Sequence, residues 1–392
     1  MDVNSSIAEN FSLTRGGPFY RLVSIFGFVK SERYQVVKRA LLGIVLCWFP
    51  LLVLTVTQGL VVGTKVRVPF LLDYAVHVRF LIALPILVLA ESAIDGRWRT
   101  IVLEFLRSGL VDQNNTASYE SIIEKVTRLR DSAPPELAML GLAYLAPLLL
   151  GRTDLLMGGI TNWHAVHAGE LSMAGWWFRV VSAPLFRFLL LRCLWRMFLW
   201  TLFIWSVSRI KLHLVATHAD LAAGLGFLSE GQKAYSPIVF AGGAVIAGSV
   251  LNAIRYEGQT LSSLKIPMIA YGVLAVVVLV VPLLSVAPVL LKTKRKALRD
   301  YGGLVTKHNQ LFEAKWIDEI GPERESILGN QDPSSLSSLG NSFAVVRQMR
   351  TVPIDKPTLV TLALAAALPM VPVLLLVTPA NAVVHAVLKM LG

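Results

Sequence analysis

Apolar runs of bilayer length recur along this chain, and their recurrence constrains the fold more than any other feature. A helix needs about 20 consecutive apolar residues to cross a membrane. In lipid, every backbone polar group must find its partner within the protein, so only helices and closed barrels span. The runs are continuous rather than alternating, which predicts an all-α fold: a polytopic helical membrane protein with helical cytoplasmic extensions. Composition agrees. Only 16% of the 392 residues are charged and mean hydropathy is +0.61, whereas soluble chains carry about a quarter charged residues.

Seven spans are expected, at 40–62, 76–94, 137–151, 176–207, 236–254, 266–291 and 359–377. The third is short enough for a re-entrant or interfacial helix to be the alternative. The basic residues support the set. Segments 1–39, 95–136, 208–235 and 292–358 hold 26 Lys and Arg, and the intervening segments with the C-terminus hold 6. By the positive-inside rule this places the N-terminus in the cytoplasm and the C-terminus outside. The first 39 residues are mostly polar, so the first apolar run is expected to stay as an anchor rather than be cleaved. Trp176, Trp177 and Trp205 mark the two interfaces of the fourth span. The net charge of +12 is accounted for by these loops, and no nucleic-acid partner is inferred.

Between the spans, 95–136 reads as a helical hairpin, with amphipathic helices over 100–110 and 119–130. The sixth span is expected to run on as a helix, with a bend at Gly302 and Gly303, carrying an apolar stripe from Leu298 to Ile320. That stripe needs a surface to pack on: the hairpin, a second protomer or a cytoplasmic protein. Residues 330–342 are rich in Ser, Gly, Asn and Asp and read as a turn. Lys292, Lys294, Arg295 and Lys296 are a topology anchor or a site for anionic lipid headgroups.

Charges at bilayer depth are the main functional candidates, because each costs about 2.5–3.5 kcal/mol even on the mildest insertion scale. Arg187, Arg192 and Arg196 lie in the fourth span and Glu91 in the second. Arg192 and Arg196 share a helical face, and Arg187 points the opposite way. Glu91 and Arg196 sit at similar depths in helices running in the same direction, so they are expected to pair, with Arg192 near. They form either a structural strut or a polar pathway. His218, Asp220, Gly224 and Gly226 make a second group at the cytoplasmic face, read as a tight turn or a metal or acid/base pair. A Gly-x-Gly without a following Lys-Ser/Thr is too sparse for a phosphate loop. On the outer side, His164, His167 and Glu170, with Asp154 upstream, have the spacing of a weak metal site if helical. Cys47 and Cys193 lie in separate spans and read as packed small hydrophobes. Gly242, Gly243, Ala244, Ala247 and Gly248 form a small-residue face suited to close helix packing. Paired carboxylates, a nucleophile elbow and clustered metal ligands are missing at convincing spacing, so no catalytic residue and no cofactor are assigned.

Two segments carry a resemblance. One is Trp205-Ser-Val-Ser-Arg209 through Leu214-Val-Ala-Thr-His-Ala-Asp220 to Gly224-Leu-Gly-Phe-Leu228. The other is Asp332-Pro-Ser-Ser-Leu-Ser-Ser-Leu-Gly-Asn-Ser342 through Arg347-Gln-Met-Arg350 to Val352-Pro353. They resemble a widespread, uncharacterised family of bacterial polytopic inner-membrane proteins. The resemblance implies that membrane and a helical fold, implies that the two segments belong to one unit, and transfers no functional residue. The expected function is a channel or transporter for ions or small solutes that uses Glu91, Arg187, Arg192 and Arg196. The alternative is a membrane scaffold or sensor whose cytoplasmic helices bind a protein partner, with homo-oligomerisation open.

Overall fold

The computed structural model describes residues 11–25, 33–149, 161–167, 170–318 and 330–377. Among the described residues its regular structure is helical, apart from a short antiparallel pair of strands, β1 (Ala165–His167) and β2 (Glu170–Leu171). In chain order the helices are α1 (Pro18–Ile25), α2 (Arg33–Cys47), α3 (Phe49–Gln58), α4 (Tyr74–Arg107), α5 (Thr116–Asp131), α6 (Ala133–Leu149), α7 (Met173–Val207), α8 (Leu228–Lys233), α9 (Ser236–Glu257), α10 (Leu261–Leu284), α11 (Ala287–Glu313), α12 (Asp332–Gln348) and α13 (Lys356–Leu376).

Among the described residues, six helices are long and apolar enough to cross a bilayer: Gln35–Gln58, α4, α7, Leu228–Glu257, α10 and α13. The chain is a multi-pass, all-α membrane protein. Of the seven expected spans the third is not among these six: α6, which covers most of it, has 17 residues, roughly 26 Å at 1.5 Å per residue. It packs along α7, where the Tyr144 hydroxyl donates to the Val180 carbonyl at 3.0 Å. Residues 150 and 151, the end of that span, lie outside the described residues.

α7 and α9 form the centre, each with half of its most apolar window buried, against 17% for the peripheral α10. The small-residue face explains how α9 reaches that position. A Cβ on Gly243 would fall 2.9 Å from the Ala366 carbonyl oxygen of α13, and one on Gly248 would fall 3.1 Å from the Tyr74 carbonyl oxygen of α4. Without side chains there, three backbones meet closely.

Prolines shape α4 and α7 in the same way. A proline ring clashes with the carbonyl four residues earlier. Ahead of Pro85, residues Val78–Ala83 open into a π turn, and Leu84 N–H reaches back to the Arg79 carbonyl. Ahead of Pro184, Phe178–Ser182 do the same, and Ala183 N–H reaches the Phe178 carbonyl. Each helix widens for about one turn and then continues. Gln35–Gln58 pauses at Trp48, beside Pro50, and ends at Gly59, whose φ of 68° supplies the left-handed cap.

Three expectations are corrected. First, 100–110 is not a separate helix. α4 runs unbroken from the membrane to Arg107, because Trp98, Ile101, Val102 and Phe105 extend its buried face and the first breaker is Gly109, at φ 70°. Second, the bend after α10 lies at Ser285–Val286, where Pro288 begins the next helix, while α11 passes through Gly302 and Gly303. Third, 330–342 is mostly helix. Pro333 opens α12, and Leu336, Leu339, Phe343 and Val346 hide a helical stripe among the serines. α12 packs along α11, with Phe343 against Gly302. α12 thus covers part of the stripe on α11, while Leu304 and Leu311 of the same stripe stay exposed and Ile320 lies outside the described residues.

Candidate functional site: a charged pair beneath an N-terminal plug

α4 and α7 enter from the same side and bring Glu91 against Arg196, with Oε1 and Nη1 2.5 Å apart and both side chains largely buried. Arg192, one turn earlier on α7, is buried as well, its guanidinium 4.6 Å from the centre of the Phe19 ring. Arg187 is apart from this group. It faces α6, and its Nη1 donates to the Ala143 carbonyl at 3.3 Å. Three of the four intramembrane candidates converge, and the fourth serves another interface.

The segment from Phe11 to Phe19 closes the site. It threads into the bundle, with Phe11, Ser12, Leu13 and Thr14 all buried. Asp95, one turn beyond Glu91 on α4, receives it. Its carboxylate accepts from the Ser12 hydroxyl at 2.8 Å, the Leu13 N–H at 2.9 Å and the Thr14 N–H at 3.1 Å. Arg99, a further turn on, donates to the Phe11 carbonyl at 3.3 Å, and Arg130 of α5 donates to the Ser12 carbonyl. Arg196 itself donates to the Thr14 carbonyl at 3.2 Å. Phe11 packs on Phe203, and Phe19 packs edge-on to Phe188. One edge of α4 thus presents Glu91, Asp95 and Arg99 in sequence, the first to α7 and the others to the plug. The polar N-terminal stretch has no periodicity to announce this. The signal that could have found it is Asp95, an acid immediately after an apolar span.

The pair borders a cavity of about 10 Å³ lined by Thr14, Glu91, Trp98, Cys193, Arg196 and Tyr235, among others. That is room for about one water. Several buried polar atoms nearby have no hydrogen-bond partner among the described residues: Trp98 Nε1, Trp200 Nε1, the Tyr235 hydroxyl, and both side-chain polar atoms of Gln232. Trp98 stacks on Trp200 at 5.2 Å and tilts against Tyr235 at 5.8 Å. The opposite end of the same helices is different. Asp73, at the head of α4, accepts from Val76 N–H, from Asn252 Nδ2 at 2.8 Å and from Trp163 Nε1 at 2.9 Å. Asp73 was not singled out by sequence.

Between α7 and α8, His218, Asp220, Gly224 and Gly226 form one turn. The Asp220 carboxylate accepts from Ala222 N–H at 2.8 Å, Gly224 N–H at 3.2 Å and Gly226 N–H at 2.7 Å. His218 Nδ1 lies 2.9 Å from Asp220 Oδ1. Burial opposes the charge on Asp220, but the three N–H donors and His218 outweigh it and hold the carboxyl below its usual range. The turn places Leu221 and Ala223 at φ 57° and 56°, costly for residues with a Cβ, and Gly224 at 95°. A Cβ on Gly226 would sit 2.9 Å from the Asp220 carboxylate. Arg350 completes it from the other segment. Its N–H reaches the Leu221 carbonyl and its Nη2 the Asp220 carbonyl, each at 2.7 Å. The two segments singled out by resemblance are therefore joined physically. Asp220 is held by backbone N–H groups in the tight turn expected here, with His218 paired to the same carboxylate.

The outer histidines also fall differently from a helical site. Ala165–His167 and Glu170–Leu171 pair as antiparallel strands rather than forming a helix, and His164 Nε2 lies 4.0 Å from Asp73 Oδ2. Asp154 lies outside the described residues. Among the described residues, no three His, Cys, Asp or Glu side chains converge as a metal site. Cys47 and Cys193 are free and buried.

Comparison with protein-family models, curated proteins and solved structures returns no match for this chain.

Proposed function

We propose that this protein is a channel or transporter for ions or small solutes, closed at the end where the plug lies. The observation that carries this reading is the group of partnerless buried polar atoms around Glu91 and Arg196. An N–H or O–H left unpaired away from water costs on the order of 2–7 kcal/mol, and lipid offers nothing to repair it. At the other end Asp73 is paired with Asn252 and Trp163, and among the described residues there His77 Nε2 is left without a partner. The Glu91 end is left to be completed by water or solute. A cavity of about 10 Å³ does not conduct, so the open state requires the Phe11–Thr14 segment to withdraw. The basic residues favour this end and the N-terminus in the cytoplasm and the C-terminus outside, and the resemblance of the two cytoplasmic-face segments implies a bacterial inner membrane. Exposed Lys292, Arg295 and Lys296 then face anionic headgroups.

A second reading has its own support. Leu304, Leu311 and Ile317 along the cytoplasmic arm are 53%, 62% and 62% exposed, an apolar line suited to a protein partner or a second copy. Flux in proteoliposomes separates the two readings. Wild type, a deletion of residues 1–17, Glu91→Gln and Arg196→Gln are compared across pH 5 to 8. The transport reading expects flux to rise with the deletion and to change with either substitution. Flux equal to empty liposomes for every folded variant overturns it in favour of the scaffold.

A further inference from the structure

A second, larger cavity lies beside the same region, walled on one side by α10, the least buried of the spanning helices. It is a crevice of about 300 Å³ between α4, α7, α9 and α10, with an almost wholly apolar lining. Its floor on α9 runs from Tyr235 to Ile246, and its wall on α7 runs from Phe186 to Met197. Each stretch covers 11 steps, roughly 16 Å at 1.5 Å per residue, and one leaflet of a bilayer is about 15 Å of hydrocarbon. The two helices run in opposite directions, so Tyr235 and Met197 mark one end and Ile246 and Phe186 the other. That first end is also the Arg196 end. The crevice therefore spans a single leaflet, from its headgroup side towards the bilayer centre.

The polar end is set apart from the rest. Tyr235 lines both this crevice and the small cavity beside Glu91 and Arg196. Its side chain is 3% exposed and its hydroxyl has no partner. The other tyrosine in the crevice, Tyr271, is satisfied, donating to the Val239 carbonyl at 2.6 Å. An apolar slot of leaflet length that ends on a buried, unpaired donor fits a hydrocarbon chain attached to an acceptor. We infer that the crevice is a binding site for one acyl chain of a glycerophospholipid, whose ester carbonyl accepts from the Tyr235 hydroxyl. In the topology proposed above, this is an inner-leaflet lipid. The site does not depend on the transport reading.

Native mass spectrometry of the purified full chain tests this, after delipidation and return of a two-chain phosphatidylethanolamine. The wild type should hold one lipid through gentle activation. Ala275→Phe, which fills the slot from the peripheral helix α10, should lower retention at least tenfold. Val277→Phe, on the same helix but exposed and outside the lining, should leave it unchanged. Tyr235→Phe adds no volume and should weaken retention about three- to tenfold through the lost hydrogen bond. It supplies the reading if Ala275→Phe lowers the Tm in detergent. Equal retention in the wild type, Tyr235→Phe and Ala275→Phe would overturn the site. So would a wild type that binds free fatty acid but not the phospholipid.

Discussion

Replacing Glu91 with Gln asks directly whether the Glu91–Arg196 pair is buried in the sense that matters energetically. The contact is 2.5 Å, with the Arg196 side chain 7% and the Glu91 side chain 15% exposed. Removing one partner of a buried pair costs about 3–5 kcal/mol, because the other charge stays behind. Two features temper that here. Gln keeps the volume and one acceptor oxygen, and Arg196 retains the Thr14 carbonyl at 3.2 Å. The expected loss is about 3 kcal/mol, the low end of the range. Arg196→Gln should cost a similar amount, leaving Glu91 with Arg192 and the weaker influence of Arg39 in place of its direct partner. The double variant removes both charges and should recover about 2 kcal/mol relative to the sum of the singles. The measurement is a double-mutant cycle on reversible unfolding in mixed micelles, supported by the Tm of the detergent-solubilised protein. A coupling below about 0.5 kcal/mol is the value for an exposed ion pair. It would mean that the plug does not exclude water, and the closed, nearly dry site would be wrong.

Three further outcomes follow from the same geometry. In a Cys47→Ala background, a deletion of residues 1–17 should raise the labelling rate of Cys193 by a water-soluble methanethiosulfonate at least tenfold, because Cys193 lines the cavity beneath Thr14; an unchanged rate would remove the plug from the explanation. Gly243→Ala should destabilise by about 1–3 kcal/mol, since the new Cβ lies 2.9 Å from a backbone oxygen. Gly303→Ala, with open space around it in α11, should stabilise by up to about 1 kcal/mol, and a reversed order of their Tm values would contradict the packing described. The depressed carboxyl of Asp220 contributes stability that is complete above the unfolded carboxyl value of about 3.9 and is lost as pH falls through the lower folded value. Amide exchange at Ala222 and Gly226 should therefore accelerate only under acid conditions, and acceleration between pH 5 and 7 would assign the turn to His218 instead.

What the sequence made legible and what it hid divide along a physical line. Hydrophobic length is additive along the chain, so the membrane class and the centres of the spans can be read from composition and run length alone. The Glu91–Arg196 contact was legible for the same reason, since two charges at one depth in apolar helices have few other partners. The small-residue face of α9 announced its close packing through side-chain size. The plug was hidden because its bonds are made by backbone N–H and C=O groups, which every residue has. Ser12, Leu13 and Thr14 carry no pattern that distinguishes them from a solvated arm. α12 was hidden by propensity: serines, an asparagine and a glycine read as a turn until α11 supplies a surface for Leu336, Leu339 and Phe343. The outer histidines went wrong through an assumed period, because a spacing of three means one face only on a helix.

The two ends of the bundle are held together by different kinds of bond, and that difference says where a transport cycle would move. At the Asp73 end, α4, α9 and the loop that carries Trp163 share a polar knot in which Asp73 is paired with Asn252 and Trp163, and Gly248 brings α9 against the backbone at Tyr74 and Ala75. Opening there would strand several buried groups and break a contact that no other side chain could make. At the Glu91 end, closure depends on a short segment bonded to Asp95, Arg99, Arg130 and Arg196. Water could replace every one of those bonds as the segment leaves. The partnerless Trp98, Trp200 and Gln232 would gain partners in the same step. Hydration therefore favours opening at the plug and opposes it at the Asp73 knot. The π turns at Val78–Ala83 and Phe178–Ser182 lie between the two ends. There α4 and α7 have already given up regular hydrogen bonding to accommodate proline, which makes these turns the places where either helix bends at least cost while the knot stays intact.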